Sequence, residues 1–227
     1  MPDLSYFLRR PFQLPIALAS RLPKFRFLRE TVDYQNRATF GLWFMQKVCG
    51  VGGNRDAYWP VSPHSQVYDV QNIYAGIDTC PGLMKGCYLQ GKGGIWIGNY
   101  TQIAPNVVIV SANHDMHDLR QHIPSAVRIG NYCWLGANSS VMPGVVLGDF
   151  TVVGAGAVIT KSFPDGYCVI AGNPARRIRD LDRANCVPHE CKVKYNGYIR
   201  SDRFAKYKRR YLRIDDIFTD GAEVSAV

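Results

Sequence analysis

An aliphatic residue stands at every sixth position through the middle of this 227-residue chain. Ile97, Ile103 and Ile109 open the count, and after a break it resumes as Ile129, Leu135, Val141, Leu147, Val153 and Ile159. The next residue is often glycine, at 98, 130, 136, 148 and 154. The fourth residue after each aliphatic is small or β-branched: Thr101, Val107, Cys133, Ser139, Val145, Thr151 and Ala157. A helix repeats near 3.6 residues and a simple strand near 2, so neither keeps a sixth residue on one face in this way. A six-residue period fits a short strand plus a corner, repeated as a coil of three flat faces. The aliphatic points inward, the small residue fills the tapering interior, and Gly or Asn takes a corner where positive φ is useful. Chance alternation in a β-sandwich is the competing account, but nine aliphatics in nine slots speak against it.

The rhythm fails once, across "VSANHDMHDLRQH" at 110–122, where imidazoles and carboxylates replace the aliphatics. Twenty positions separate Ile109 from Ile129, or three hexads plus two. The break is therefore about one coil of chain, part of it thrown outward as a loop. Stacked coils saturate each other's backbone groups, and a rigid scaffold makes such an excursion a natural place for function.

Composition narrows the class. At 47% hydrophobic and 20% charged, the chain can bury a sizeable core. Seven cysteines, an odd count without dense spacing, fit reduced thiols in a cytoplasmic protein. No run approaches the ~18 apolar residues that span a bilayer. "RRPFQLPIALASRLP" has the basic-then-apolar order of a signal peptide, but its two internal prolines and the basic segment after it argue against one. A peripheral membrane contact through Phe7, Phe12, Leu14 and Ile16 competes with packing of this arm on the protein's own body. The net charge of +9 and the tail tyrosines 195, 198, 207 and 211 invite a nucleic-acid reading. No such motif is present and the charge is spread over both ends, so an anionic small molecule or glycan accounts for it as well and no nucleic-acid partner is expected.

The expected organisation is mainly β. Residues 1–60 form a basic arm and a helical segment, with 25–50 helical, Phe25, Leu28 and Val32 on one face, and Gly50, Gly52 and Gly53 at its exit. Residues 61–179 form the coil, with its loop at 111–128. Residues 180–227 form a basic, partly helical extension.

Taken together and in order, "NHD", "CWLGAN", "MPGVVLGD", "VVGAGAVITK" and "AGNPARRIR" resemble the hexapeptide-repeat acyltransferases. The likeness is greatest to the galactoside, maltose and nodulation-factor O-acetyltransferases and their surface-polysaccharide relatives, over residues 60 to 180. It implies a left-handed parallel β-helix, a homotrimer with active sites between subunits, and acetyl-CoA as co-substrate with no metal required. His114 matches the catalytic base, a task that suits an imidazole of ordinary pKa ~6.5. Trp134 matches the tryptophan of the acetyl-pantetheine slot. Ala137 and Ala155 match positions whose backbone bonds the pantetheine amides. Thr160 and Lys161 match the pantetheine–nucleotide end, and Arg176 and Arg179 the neighbourhood of the CoA phosphates, which suit forked guanidinium donors. On the acceptor side, Asn113 and Asp78 would contact the sugar. Asp78 departs from the family's asparagine; an ionised carboxylate only accepts hydrogen bonds, so it would take a sugar hydroxyl or a cationic amino sugar. His117 and His122 lie further out and read as loop residues without a role.

The implied activity is transfer of acetyl to a hydroxyl of a carbohydrate, a polysaccharide unit or glycan precursor, by direct attack. N-acetylation of an amino sugar or antibiotic, a zinc-dependent carbonic-anhydrase relative and a non-enzymatic assembly protein are the alternatives. Cys186, His189 and Cys191 offer three ligands where a structural zinc normally takes four.

Overall fold

A computed structural model describes residues 22–219. Its centre is a triangular prism of short parallel strands. The first face stacks β1 (Gln66–Tyr68), β3 (Tyr88–Gln90), β6 (Val108–Val110), β11 (Ser140–Val141) and β14 (Val158–Ile159). The second stacks β2 (Ile73–Ala75), β4 (Ile95–Ile97), β9 (Val127–Ile129) and β12 (Val146–Leu147). The third stacks β5 (Gln102–Ile103), β10 (Trp134–Leu135), β13 (Thr151–Val153) and β15 (Cys168–Ala171), closed by antiparallel β16 (Arg176–Asp180). Trp134 pairs with Val152 and Ser140 with Val158, so a regular coil is three hexads long.

The expected interior is realised. Ile97, Ile109, Ile129, Leu135, Val141, Leu147, Val153 and Ile159 are buried, and so are the small residues four positions on, from Thr101 to Ala157. Burial would leave their polar atoms costly unless paired. Thr101 Oγ1 donates to the Gly130 carbonyl at 2.9 Å and Thr151 Oγ1 to that of Gly148 at 2.7 Å.

The corner glycines serve a different end from the one expected. Gly130 and Gly136 lack positive φ. A Cβ on Gly130 would lie 2.6 Å from the Asp149 nitrogen, and one on Gly136 would lie 2.6 Å from the Val153 carbonyl oxygen. They let one coil settle on the next. Positive φ falls two residues after these glycines, on Tyr132 and Asn138, and the expected Asn or Gly does take it at Asn106, Asn138, Gly144 and Gly156.

The N-terminal segment is also more broken than its pattern implies. Helix α1 (Phe27–Glu30) stops at Thr31, and α2 (Phe40–Phe44) begins only after a loop and continues as a π-turn to Cys49. Val32 is exposed rather than on a buried helical face. Tertiary bonds override the local pattern here: Gln35 and Asn36 donate their amides to Asp78, and Tyr34 donates its hydroxyl to the Val193 carbonyl. Gly50 does end the element, with φ of 69°.

The extension folds back along the prism through the hairpin β17 (Tyr195–Asn196)–β18 (Ile199–Arg200), then α3 (Ser201–Tyr211) and α4 (Ile214–Thr219). Lys208 lies over the stacked Tyr74 and Trp96 rings of the second face, and Phe218 meets Trp96 edge-on. The arm residues Phe7, Phe12, Leu14 and Ile16 lie outside the described residues. Among those described, no helix is long and apolar enough to cross a membrane.

Candidate active site

The interrupted coil does not end in a shapeless loop. It forms a two-stranded antiparallel ribbon, β7 (Ala112–His114) and β8 (His122–Pro124), rising from the corner between the first and second faces. At its neck the Ser125 amide donates to the Ser111 carbonyl at 2.8 Å, and Ser111 Oγ donates to the Gln90 carbonyl at 2.8 Å. Asp115 caps the turn, accepting the amides of His117 and Asp118. Arg120 pairs with Asp118 on the exposed tip, a contact of small energetic weight.

His114 ends β7 with its Nδ1 2.6 Å from the Leu119 carbonyl oxygen. A carbonyl can only accept, so Nδ1 is the donor, and in the neutral ring the lone pair is on Nε2. The ring is exposed. This is the arrangement a general base needs: one nitrogen fixed by a backbone group, the other open to a substrate proton. His122, read from sequence as lying further out, is the cross-strand partner of His114, with ring centroids 4.3 Å apart. Desolvation, then the positive charges of Lys92 and His114, lower its pKa below the usual value. The missed signal was the hairpin itself, which folds the segment back on its own root. Asn113, paired with Ile123, falls on the opposite face of the ribbon from His114 by strand alternation.

The residues expected to hold CoA divide between two places on one chain. Trp134 stands on the third face with its ring more than half exposed. Arg176 and Arg179 lie exposed at the edge of that face on β16, and neither makes an ion pair among the described residues. Arg177, between them, is the one engaged, with Asp180 at 2.7 Å. Ala137 and Ala155 occupy the corner between the third and first faces. There the Gly156 amide donates to the Ala137 carbonyl at 2.8 Å. Thr160 and Lys161 lie elsewhere: they follow β14 at the corner that carries the ribbon, two coils beyond its neck. At ~4.8 Å per coil that is about 10 Å along the prism. His114 thus stands at the corner between the first and second faces and Trp134 on the third face of the same chain.

Asp78 is not placed for an acceptor. It is buried, its carboxylate oxygens take the amides of Gln35 and Asn36 at 3.0 and 2.9 Å, and the Asn36 side chain donates to its backbone carbonyl at 2.7 Å. Desolvation raises its pKa despite these donors. Its carboxylate secures the N-terminal segment, and a sugar would have to displace those bonds to reach it.

Five of the seven thiols are poorly placed as nucleophiles. Cys80, Cys87, Cys133, Cys168 and Cys191 are buried, and desolvation pushes their pKa values up, that of Cys133 to about 12. His189 packs against the rings of Tyr100 and Tyr132. No group of three His, Cys, Asp or Glu side chains among the described residues is arranged to hold a metal.

Comparison with known proteins bears on this arrangement. Residues 126–161 match the model of the bacterial transferase hexapeptide, six repeats. The chain is 38% identical over 92 residues to a galactoside O-acetyltransferase of Escherichia coli K12, covering 39% of this chain and 45% of that protein. It is 40% identical over 95 residues to the galactoside O-acetyltransferase of Lactococcus lactis, with the same shares. The matches therefore span about half the length of these relatives. A solved galactoside acetyltransferase in complex with coenzyme A superposes with a TM-score of 0.51, covering 86% of this chain and 99% of that one at 22% identity, which extends the shared fold beyond the repeats.

Proposed function

The chain belongs to the hexapeptide-repeat acetyltransferase family, and from that premise we propose that it moves an acetyl group from acetyl-CoA to a carbohydrate hydroxyl, on a polysaccharide or glycan precursor. The observation that carries the reading is the 2.6 Å contact of His114 Nδ1 with the Leu119 carbonyl, which turns Nε2 away from that partner and leaves it to take a proton.

In the reaction the acceptor oxygen attacks the thioester carbonyl carbon as its proton passes to Nε2 of His114. Backbone amides at the coil corner hold the oxyanion that forms. Collapse breaks the carbon–sulfur bond, and the imidazolium returns its proton to the departing CoA sulfur. The acetyl ester and free CoA result, with no acyl-enzyme, in keeping with the burial of five of the seven thiols.

For the donor, Trp134 would flank the acetyl-pantetheine arm. Ala137 and Ala155 leave a corner low enough for that arm to lie along it, and Lys161, Arg176 and Arg179 would meet the phosphates. Because His114 stands on the ribbon's corner and Trp134 on the third face, we place the complete site between subunits of a homotrimer. One chain would supply the ribbon and its neighbour the third face. Galactoside relatives favour a sugar hydroxyl over an amine.

His114→Ala should lower kcat for acetyl transfer by ~10²–10⁴ while the thermal midpoint stays within a degree or two, the scale of a lost general base. His117→Ala should cost far less. Equal activity in the His114 variant and the parent would remove the base from this site.

A further inference from the structure

Away from the ribbon, the N-terminal segment and the C-terminal extension meet around a cavity of about 250 Å³. Its wall carries Lys24, Arg26, Arg200 and Arg203 against a single carboxylate, Asp202. These cations come from two stretches more than 170 residues apart in sequence, so the fold has gathered them against their mutual repulsion. Arg200 is only loosely compensated, at 3.7 Å from Asp202 and 3.9 Å from Glu30. The Nε of Arg26 is buried and has no hydrogen-bond partner among the described residues. Such a donor is costly to leave unmade, so the Arg26 guanidinium is not satisfied by the protein's own acceptors. Helix α3, eleven residues long, starts at the same cavity with no side chain capping its first amides. The positive end of its dipole adds to the field there.

We propose that this cavity is an anion site that takes a phosphate or diphosphate group. The volume is below that of pockets enclosing whole drug-sized ligands, ~300–1,000 Å³, and suits a charged group with the rest of its molecule outside. Guanidinium forks match phosphate oxygens in pairs, and a helix start supplies further N–H donors. A carboxylate ligand would satisfy fewer of these donors than a tetrahedral phosphate with three or four oxygens. The site lies outside the repeats, so it stands whether or not the chain transfers acetyl groups.

The test uses the full chain and inorganic pyrophosphate, followed by calorimetry. Saturable binding should weaken at least tenfold in Arg26→Gln and in Arg203→Gln. Lys85→Gln, the same charge change outside the cavity, should leave it within twofold. A parallel arm measures binding to phosphatidylcholine vesicles with and without phosphatidic acid. Pyrophosphate binding without vesicle binding identifies a soluble phosphate group, and arginine-dependent binding to the phosphatidic acid vesicles identifies a lipid headgroup. If Arg26→Gln loses its fold by circular dichroism, the exposed Arg203 decides the matter. Absence of binding in both arms overturns the proposal. So does a loss in Lys85→Gln equal to that in the arginine variants, since general charge would then suffice.

Discussion

Two corners of the prism share one backbone device and put it to opposite use. Before each strand of the third face stands an aromatic residue of positive φ: Tyr100, Tyr132, Phe150 and Tyr167. Their rings stack in succession at 5.3, 4.8 and 5.1 Å, and Arg183 closes the column over Tyr167. After the same strands the positive-φ residues are Asn106, Asn138, Gly156 and Gly172, with Ala137 and Ala155 beside them. There the side chains stop short, and a side-chain hydrogen bond from Asn106 to Asn138 joins the backbone bonds that pass between coils. The geometry of a coil therefore leaves the identity of the corner residue free. Rings turn one corner into a structural spine covered by the extension, and small residues leave the other open to a ligand.

That contrast can be broken most sharply by mixing subunits. A His114→Ala chain is exchanged with one carrying Trp134→Ala and Arg179→Ala. If the open corner of one subunit works with the ribbon of another, mixed trimers regain an intact site, and activity rises by ~10-fold or more over either parent, since the His114→Ala parent lacks ~10²–10⁴ in rate and the other parent lacks its donor slot. No rescue despite demonstrated exchange would put both functions on one chain.

At the aromatic corner, Tyr132→Ala removes a half-buried ring stacked on both sides. A loss of about 2 kcal/mol in unfolding free energy is expected from packing and ring contacts, with the acetyl-CoA KM within twofold. Ala155→Leu, at the open corner, should do the reverse. Its stability should shift by no more than ~0.5 kcal/mol, the usual range for an exposed position, while KM rises about tenfold. A leucine that destabilised the coil while sparing KM would show that the open corner is only more packing surface.

The smallest effect is a matter of pH. Desolvation raises the phenol pKa values of Tyr100 and Tyr132 above 10.0 in the folded chain. In the unfolded chain both ionise near 10, so the folded state holds more protons above that pH. The stability they contribute is full below pH 10 and is lost as pH rises through the folded values. The double variant Tyr100→Phe, Tyr132→Phe should lose stability less steeply above pH 10 than the parent, in denaturant titrations at pH 9, 10 and 11. Identical slopes would mean that burial at this corner does not raise these two phenols.

Much of this was legible beforehand because a six-residue period is a geometric statement. Ile129, Leu135 and Val141 could only turn inward together if the chain coiled, and Thr101, Cys133 and Ala157 followed them into the core. The break at 110–122 likewise marked the ribbon. The aromatic spine is present in the sequence as rings at 132, 150 and 167, about one coil apart, but three rings at unequal spacings of 18 and 17 carry a weaker signal than nine aliphatics at a strict six. Asp78 escaped for another reason. Its partners, Gln35 and Asn36, lie more than forty positions upstream and follow no period. The breaks between α1 and α2 have the same origin, since distant bonds to Asp78 and Val193 decided the path of residues 31–39.

The neck of the ribbon has a consequence for how such a chain could change. The coil leaves at Ser111 and returns at Ser125, and a 2.8 Å hydrogen bond joins those two residues. The Ser125 carbonyl in turn accepts from Gly144 in the next coil, so the ladder of the prism runs through the neck without using the ribbon. Everything from 112 to 124 is thus an appendix sewn to a continuous seam. It can be lengthened, exchanged or trimmed to a short linker with the seam left in register. A prism of this kind can keep its architecture while the segment bearing the imidazole is replaced, and so acquire a different acceptor, or none, without refolding.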